Sequence, residues 1–253
     1  YVIYITFFSY LRQNNILNIF LVSMPLSLMC AAEKEKLKCI VYMHGLSVKL
    51  LPMQIPLSTE LHLISLDEME YYSNFIPKDK VKLLPVEPIT NPKNCSIILL
   101  RQILDFSKSS GRKMDLNDIK RVQKFSVQNG LDLYYKIHPK TDRLEIESLI
   151  SSLKIKKNRL LINKTPITEN IKKLKPKLVF GWFSGGLAES LNHRVLPIII
   201  EPLIKTKKID ELSVFKFEKR CLILKKDYKK IERALQNNNY YYKTIEKLNK
   251  DGK

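Results

Sequence analysis

The stretch Leu178–Ser190, LVFGWFSGGLAES, decides how this chain is read. An apolar run of strand length passes into Ser184, Gly185 and Gly186, and a helical pattern follows at once. Strand, tight turn and helix in that order form one half of a βαβ unit. Working outward, the same organisation recurs: CIVYM, LHLISL, VKLLPV, SIILLRQIL, LDLYYKI, RLLIN, KLVFGWF, VLPIII and CLIL are apolar runs separated by polar turns and helical stretches. Alternation of this kind predicts parallel sheets with crossover helices, an α/β fold. Between two of these runs, Asp115 is read as the cap of a helix carrying Leu116, Ile119, Val122 and Phe125, with Gly130 as its stop.

The 253 residues are 45% hydrophobic and 27% charged, which excludes disordered and fibrous classes and allows one large domain or two small ones. PVEPITNP, residues 85–92, has three prolines and no apolar periodicity, and reads as a linker. The expected organisation is therefore a front domain over 1–85, a linker over 86–93 and a back domain over 94–253. The back part has enough alternation for a complete doubly wound domain and closes with a helical tail; the front part has too little. It starts at Tyr1 and runs straight into apolar residues, so it reads as the incomplete remainder of a longer domain. YVIYITFF and NIFLVSMP are read as strands, LSLMCAAEKEKL as a helix and KCIVYMHG as a strand. No run reaches the about 20 apolar residues of a membrane span, because Arg12 to Asn15, Asn18 and Pro25 interrupt. The order of charge and apolarity is also wrong for a signal peptide.

The 44 Lys+Arg exceed the 25 Asp+Glu by 19 charges, which favours nucleic acid, anionic membrane or anionic small molecules as partners. Lys, Asn and Ile are abundant together, as AT-rich codon usage alone would produce. The lysines are spread along the chain, and no helix-turn-helix, RNP or zinc pattern is present, so a specific nucleic-acid partner is not expected. Cys30, Cys39, Cys95 and Cys221 stand far apart without metal spacing and are read as buried thiols of a reducing, cytoplasmic protein, with no metal site.

Three stretches at strand ends hold candidate chemistry, since open parallel sheets bind ligands beyond the carboxyl ends of their strands. In YMHGLSVK, His44 and Gly45 close a strand, and a histidine there suits a general base or an ordinary turn. In LYYKIHPK, alternation places Leu131, Leu133, Tyr135 and Ile137 on one face and Tyr134, Lys136 and His138 on the other, and Pro139 ends the strand. Lys136, His138 and Lys140 then form either a cationic cluster for a phosphate or a solvated basic face. The third is the opening stretch. Ser184, Gly185 and Gly186 at a helix start offer N–H groups, a hydroxyl and the positive end of the dipole to an anion. The competing reading is a serine N-cap with glycine for tight packing. Neither a Walker A pattern nor GxGxxG occurs.

Taken together, the His44–Gly45 turn, the His138–Pro139 turn and the Ser184–Gly186 turn resemble bacterial two-domain GT-B glycosyltransferases. The likeness runs to the capsule and lipooligosaccharide sialyltransferases, including the polysialyltransferases, and TPITENIKKLKPKLVFG is similar to the segment that precedes their serine motif. The resemblance spans roughly Lys38 to Pro202. It implies a GT-B-like fold of two Rossmann-like parallel-sheet domains and transfer of a sugar, sialic acid first, from a CMP-activated donor to a cell-surface glycan acceptor. It implies that His138 and Pro139, with Lys136, and Ser184, Gly185 and Gly186 hold the donor nucleotide. His44, beside Gly45, would deprotonate the acceptor, with no metal or other cofactor, on a cytoplasmic protein in peripheral contact with the inner membrane face.

The chain departs from that pattern twice. Met43, His44 and Gly45 stand where an acidic D/E-D-G is usual, and Gly185 replaces the second hydroxyl of a Ser-Ser or Ser-Thr pair. His44, Gly45 and Lys49 match instead the spacing of the HGTxxK motif of CDP-glycerol glycerophosphotransferases, a competing family. A sugar-nucleotide epimerase of the same architecture, a catalytically inactive GT-B remnant and a basic nucleic-acid-binding protein are the further alternatives.

Overall fold

The computed structural model describes residues 2–22, 26–42, 55–56, 58–100, 109–138, 141–162, 165–200 and 213–250. The chain divides into two compact units. One runs to Pro85 and takes in a later short segment ending at Lys216; the other starts at Val86 and holds the rest.

The first unit is a parallel sheet of β1 (Asn18–Val22), β2 (Lys38–Tyr42), β3 (Glu60–Leu63) and β4 (Val81–Leu83), in the spatial order β1-β2-β3-β4. Helices α1 (Val2–Gln13), α2 (Leu26–Lys34) and α3 (Leu66–Tyr72) accompany it. Strands that step in one direction through right-handed crossovers send their helices to the same face. The burial agrees: Cys39, Val41, Leu61, Leu63 and Val81 share a core with Phe8, Met29, Ala32 and Tyr72, while Lys38, Tyr42 and Lys82 on the alternate positions are exposed. On that exposed face Phe20 stacks beside Tyr42 at 6.3 Å, and Tyr42 meets His62 at 4.7 Å. Helix α3 starts with a full capping box, Ser65 accepting from the Glu68 amide while the Glu68 carboxylate accepts from the Ser65 amide. The late segment joins here, the Lys216 amide donating to Asp67 Oδ2 at 3.0 Å.

YVIYITFF, expected as a strand, is helix α1. Its β-branched residues favour a strand locally, but Phe8 and Leu11, three apart, enter the core as a helical stripe does, and tertiary burial overrides propensity. Asn15 at φ 62° ends the helix in the left-handed region that asparagine tolerates.

The second unit is a six-stranded parallel sheet of β5 (Lys93–Leu99), β6 (Asp132–Lys136), β7 (Leu160–Leu161), β8 (Pro176–Gly181), β9 (Leu196–Ile199) and β10 (Leu222–Ile223). The spatial order is β10-β9-β8-β5-β6-β7. The chain starts in the middle at β5, steps outward to β7, returns to the middle as β8 and steps outward the other way. The reversal lies between β5 and β8. Helices α4 (Ser109–Gln128), α5 (Arg143–Leu153), α6 (Ile167–Leu174) and α7 (Gly185–Asn192) connect the strands. The tail forms two helices, Tyr228–Gln236 and Asn238–Lys250, parted at Asn237, whose Oδ1 accepts the Tyr240 amide at 2.9 Å. Helix α4 begins at Ser109, six residues ahead of the expected cap at Asp115. Ser109, Ser110 and Gly111 read as loop by composition, yet weak helix formers are tolerated in a first turn. Gly130, at φ 62°, follows its end as expected.

The segment after Pro85 is strapped to this second unit. His193 Nδ1 bonds the Glu87 carbonyl at 2.8 Å, the Ile89 amide donates to the His193 carbonyl at 2.8 Å, and Tyr242 donates to the Thr90 carbonyl at 2.6 Å. Among the described residues no helix is long and apolar enough to cross a membrane.

Candidate functional site

In a doubly wound sheet the crevice for a ligand opens outside the carboxyl ends of the two strands that flank the reversal. Here those strands are β5, ending at Leu99, and β8, ending at Gly181. Beyond Gly181 the chain passes Trp182 and Phe183 and enters α7 at Ser184. The Ser184 hydroxyl accepts the Gly186 amide at 3.3 Å and its carbonyl accepts the Leu187 amide at 3.0 Å, so the serine is the N-cap of α7. With its oxygen capping the helix, the hydroxyl proton remains for an acceptor beyond it.

Gly186 has a definite steric reason. A Cβ there would lie 2.7 Å from Leu99 Cδ1 and 3.4 Å from Ile167 Cγ2. The first turn of α7 therefore presses against the end of β5 and the start of α6 more closely than any side chain permits. Tight packing, one of the two readings of this glycine, is what the structure shows, and it holds the start of α7 beside the β5–β8 reversal.

Leu99 also pairs in register with Lys136, the last residue of β6, which places Lys136 on the same sheet face. Lys136 is 7% exposed, and burial pushes its ammonium below the usual lysine range. The alternation along β6 is as expected: Leu133, Tyr135 and Ile137 face the main core of the unit. The basic face is not a solvated one at Lys136. His138, two residues on, is half-buried, and its carbonyl accepts the Thr141 amide at 3.0 Å. Pro139 and Lys140 lie outside the described residues, as do His44, Gly45 and Lys49 of the first unit.

Lys136 and the Ser184–Gly186 turn thus meet around one residue, Leu99, with His138 just beyond the end of the same strand as Lys136. Sequence reasoning passed over Glu189. One turn into α7, its carboxylate accepts the Thr168 hydroxyl at 2.7 Å, tying α7 to α6. Its signal was a lone carboxylate five residues after the capping serine in an otherwise uncharged helix. The Thr141 and Thr165 hydroxyls, just past the ends of β6 and β7, are buried without a hydrogen-bond partner among the described residues. Among those residues no group of His, Cys, Asp and Glu is arranged to hold a metal. The two other described histidines are engaged elsewhere, His62 with Glu60 and His193 with the strap.

No protein-family model matches the chain, and no curated protein matches it in sequence. Solved structures do. A putative UDP-N-acetylglucosamine 2-epimerase from Listeria monocytogenes aligns over 98% of this chain and 75% of its own, at 10% identity and TM-score 0.55. The S. aureus MnaA–UDP structure aligns over 98% and 74%, at 12% and 0.51. A variant of the wall teichoic acid polymerase TagF aligns over 93% and 67%, at 13% and 0.52. The fold is GT-B-like. Two parallel sheets, of four and six strands, make it an α/β protein, as the alternation of runs led us to expect, and the GT-B-like architecture is the one that the resemblance implied. At these identities the likeness concerns the fold.

Proposed function

We propose that this GT-B-like chain is a nucleotide-sugar-dependent transferase that moves a sugar, sialic acid first, from a CMP-activated donor to a glycan acceptor. The observation that carries the reading is the convergence of Lys136 and the Ser184–Gly186 helix start on Leu99 at the β5–β8 reversal. A cation, a hydroxyl and a helix N-terminus at that place suit the phosphate of a donor nucleotide. Departure of the nucleotide builds negative charge on the phosphate oxygens. A lysine held in a dry site and fixed backbone N–H groups stabilise that charge without reorganising, and they take the role a metal would otherwise play. His138 and Pro139 are assigned to the donor side. His44, beside Gly45, is assigned the deprotonation of the acceptor hydroxyl, which puts the acceptor on the 1–85 domain and the donor on the 94–253 domain. The excess of cations favours an anionic acceptor and peripheral contact with an anionic membrane.

Glycerophosphate transfer from a CDP-glycerol donor is the second reading. The spacing of His44, Gly45 and Lys49 and the structural likeness to TagF favour it. A thermal-shift series with CMP, CDP and UDP separates the readings, because a ligand stabilises by its own binding free energy. Selective stabilisation by cytidine nucleotides, lost in Lys136→Met and His138→Ala, supports the proposal. A preference for UDP would turn it towards epimerase chemistry, and no shift with any nucleotide would overturn it. Turnover of CMP-sialic acid against CDP-glycerol then decides between the two transfers.

A further inference from the structure

In the second unit α4 and the tail helix Tyr228–Gln236 are neighbours. Phe125 meets Tyr228 edge-on at 5.3 Å, and the Tyr228 hydroxyl reaches Gln128 Oε1 at 3.4 Å. Each turns an apolar stripe inward, Ile119, Val122 and Phe125 from one and Ile231 and Ala234 from the other, onto a core shared with Ile98 and Phe180 of the sheet. Both therefore cover the same sheet face, and their outward sides make one surface. From Leu116 on, α4 shows Lys120, Arg121 and Lys124 at one-turn spacing, followed by Val127, 79% exposed. The tail helix shows Lys229, Lys230 and Arg233, with Lys225 and Lys226 in the turn before it. All eight cations are exposed, while the acids of the same stretches are withdrawn: Asp118 and Asp227 are each 8% exposed, and Glu232 is half-buried. Other helices of the unit mix their signs, Arg143 pairing with Glu147 on α5 and Lys172 with Glu169 on α6. Codon usage rich in lysine would add cations to every face; it would not withdraw the acids from one.

We propose that this face lies against the surface of an anionic bilayer. The inference rests on the peripheral membrane contact of the proposed function and gives that contact a place on the molecule. Charge complementarity selects the occupant. A leaflet of acidic lipids meets all of these cations at once, each Lys or Arg near it strengthens binding roughly fivefold, and Val127 beside them enters the headgroup layer. Neither helix is long and apolar enough to cross, so the contact stays at the surface. A nucleic-acid duplex is a cylinder and would touch so broad a face along one line. A single strand would need exposed aromatic rings on which to stack its bases, whereas Tyr228 is packed on Phe125 and Tyr240 lies under Arg233 at 4.5 Å.

Co-sedimentation of the full chain with vesicles, without nucleotide, tests the proposal. Wild type should bind vesicles of phosphatidylcholine with phosphatidylglycerol, ignore phosphatidylcholine alone, and dissociate as salt rises. Two variants share one net charge. The first carries Lys120→Gln, Lys124→Gln, Lys226→Gln and Lys229→Gln on the face; the second carries Lys156→Gln, Lys157→Gln, Lys172→Gln and Lys173→Gln elsewhere on the unit. The first should bind anionic vesicles at least about hundredfold more weakly than wild type, and the second within about fivefold of it. Circular dichroism verifies both folds. A wild type that does not bind anionic vesicles would overturn the face and the peripheral contact together, while equal losses in the two variants, or a loss in neither, would overturn the face alone. Tighter binding to a random DNA duplex than to anionic vesicles at the same salt would assign the face to nucleic acid and overturn the proposal.

Discussion

Replacing Gly186 by alanine tests the close approach on which the site rests. The added Cβ would sit 2.7 Å from Leu99 Cδ1, roughly an ångström inside ordinary carbon contact. Leu99 is 9% exposed and has little room to retreat, so the clash is an overpacking of about 1–3 kcal/mol. Alanine also returns up to about 1 kcal/mol over glycine in a helix. The net expectation is a loss of about 1 kcal/mol. The decisive variant is Gly186→Ala in a Leu99→Ala background. Trimming Leu99 removes the atom that the Cβ strikes while the helical gain persists, so the same substitution should change sign and stabilise by up to about 1 kcal/mol. Urea unfolding followed by Trp182 fluorescence is the assay, since the chain has one tryptophan and it is buried between Gly181 and Ser184. If Gly186→Ala costs the same with and without Leu99, the glycine is not there for packing and the placement of α7 against β5 is wrong.

Ser184→Asp should keep the cap, and hence stability within about 0.5 kcal/mol, while placing a carboxylate where the donor phosphate is proposed to lie; loss of cytidine-nucleotide stabilisation in a thermal-shift assay checks it. Hydrogen bonds from Lys38 and Lys82, with His62, hold the Glu60 carboxyl at about 2, well below its ordinary 4.5. A depressed acid contributes stability that is present above the unfolded value and is lost as pH falls from about 4.5 towards 2, so Glu60→Gln should flatten acid unfolding in that window. Burial pushes His193 below 6.5, and among the described residues its Nε2, once protonated, would find no acceptor. The unfolded chain then binds a proton that the folded chain refuses. Stability is full above pH 6.5 and falls below it, and His193→Gln, read by urea midpoints from pH 8 to 5, should remove that component of the slope.

The elements were legible because a parallel strand buried on both faces must be written as an unbroken apolar run, and SIILL, KLVFG and VLPIII are such runs. Residues 2–13 misled for the same reason. A helix with little polar surface has the composition of a buried strand, and only the joint burial of Phe8 and Leu11 with Met29 distinguishes them. The site divides along the same line. Ser184 and Gly186 were visible because a cap and a close approach each demand a particular residue type at a particular place in the chain. Lys136 was visible as a cation but not as a buried one, since its place beside Leu99, 37 positions earlier, is set by strand pairing. Pairing across such distances is decided by strand order, and strand order leaves no mark in local periodicity. The β5–β8 reversal, which sets the ends of β8, β5 and β6 side by side, belongs to that class of information.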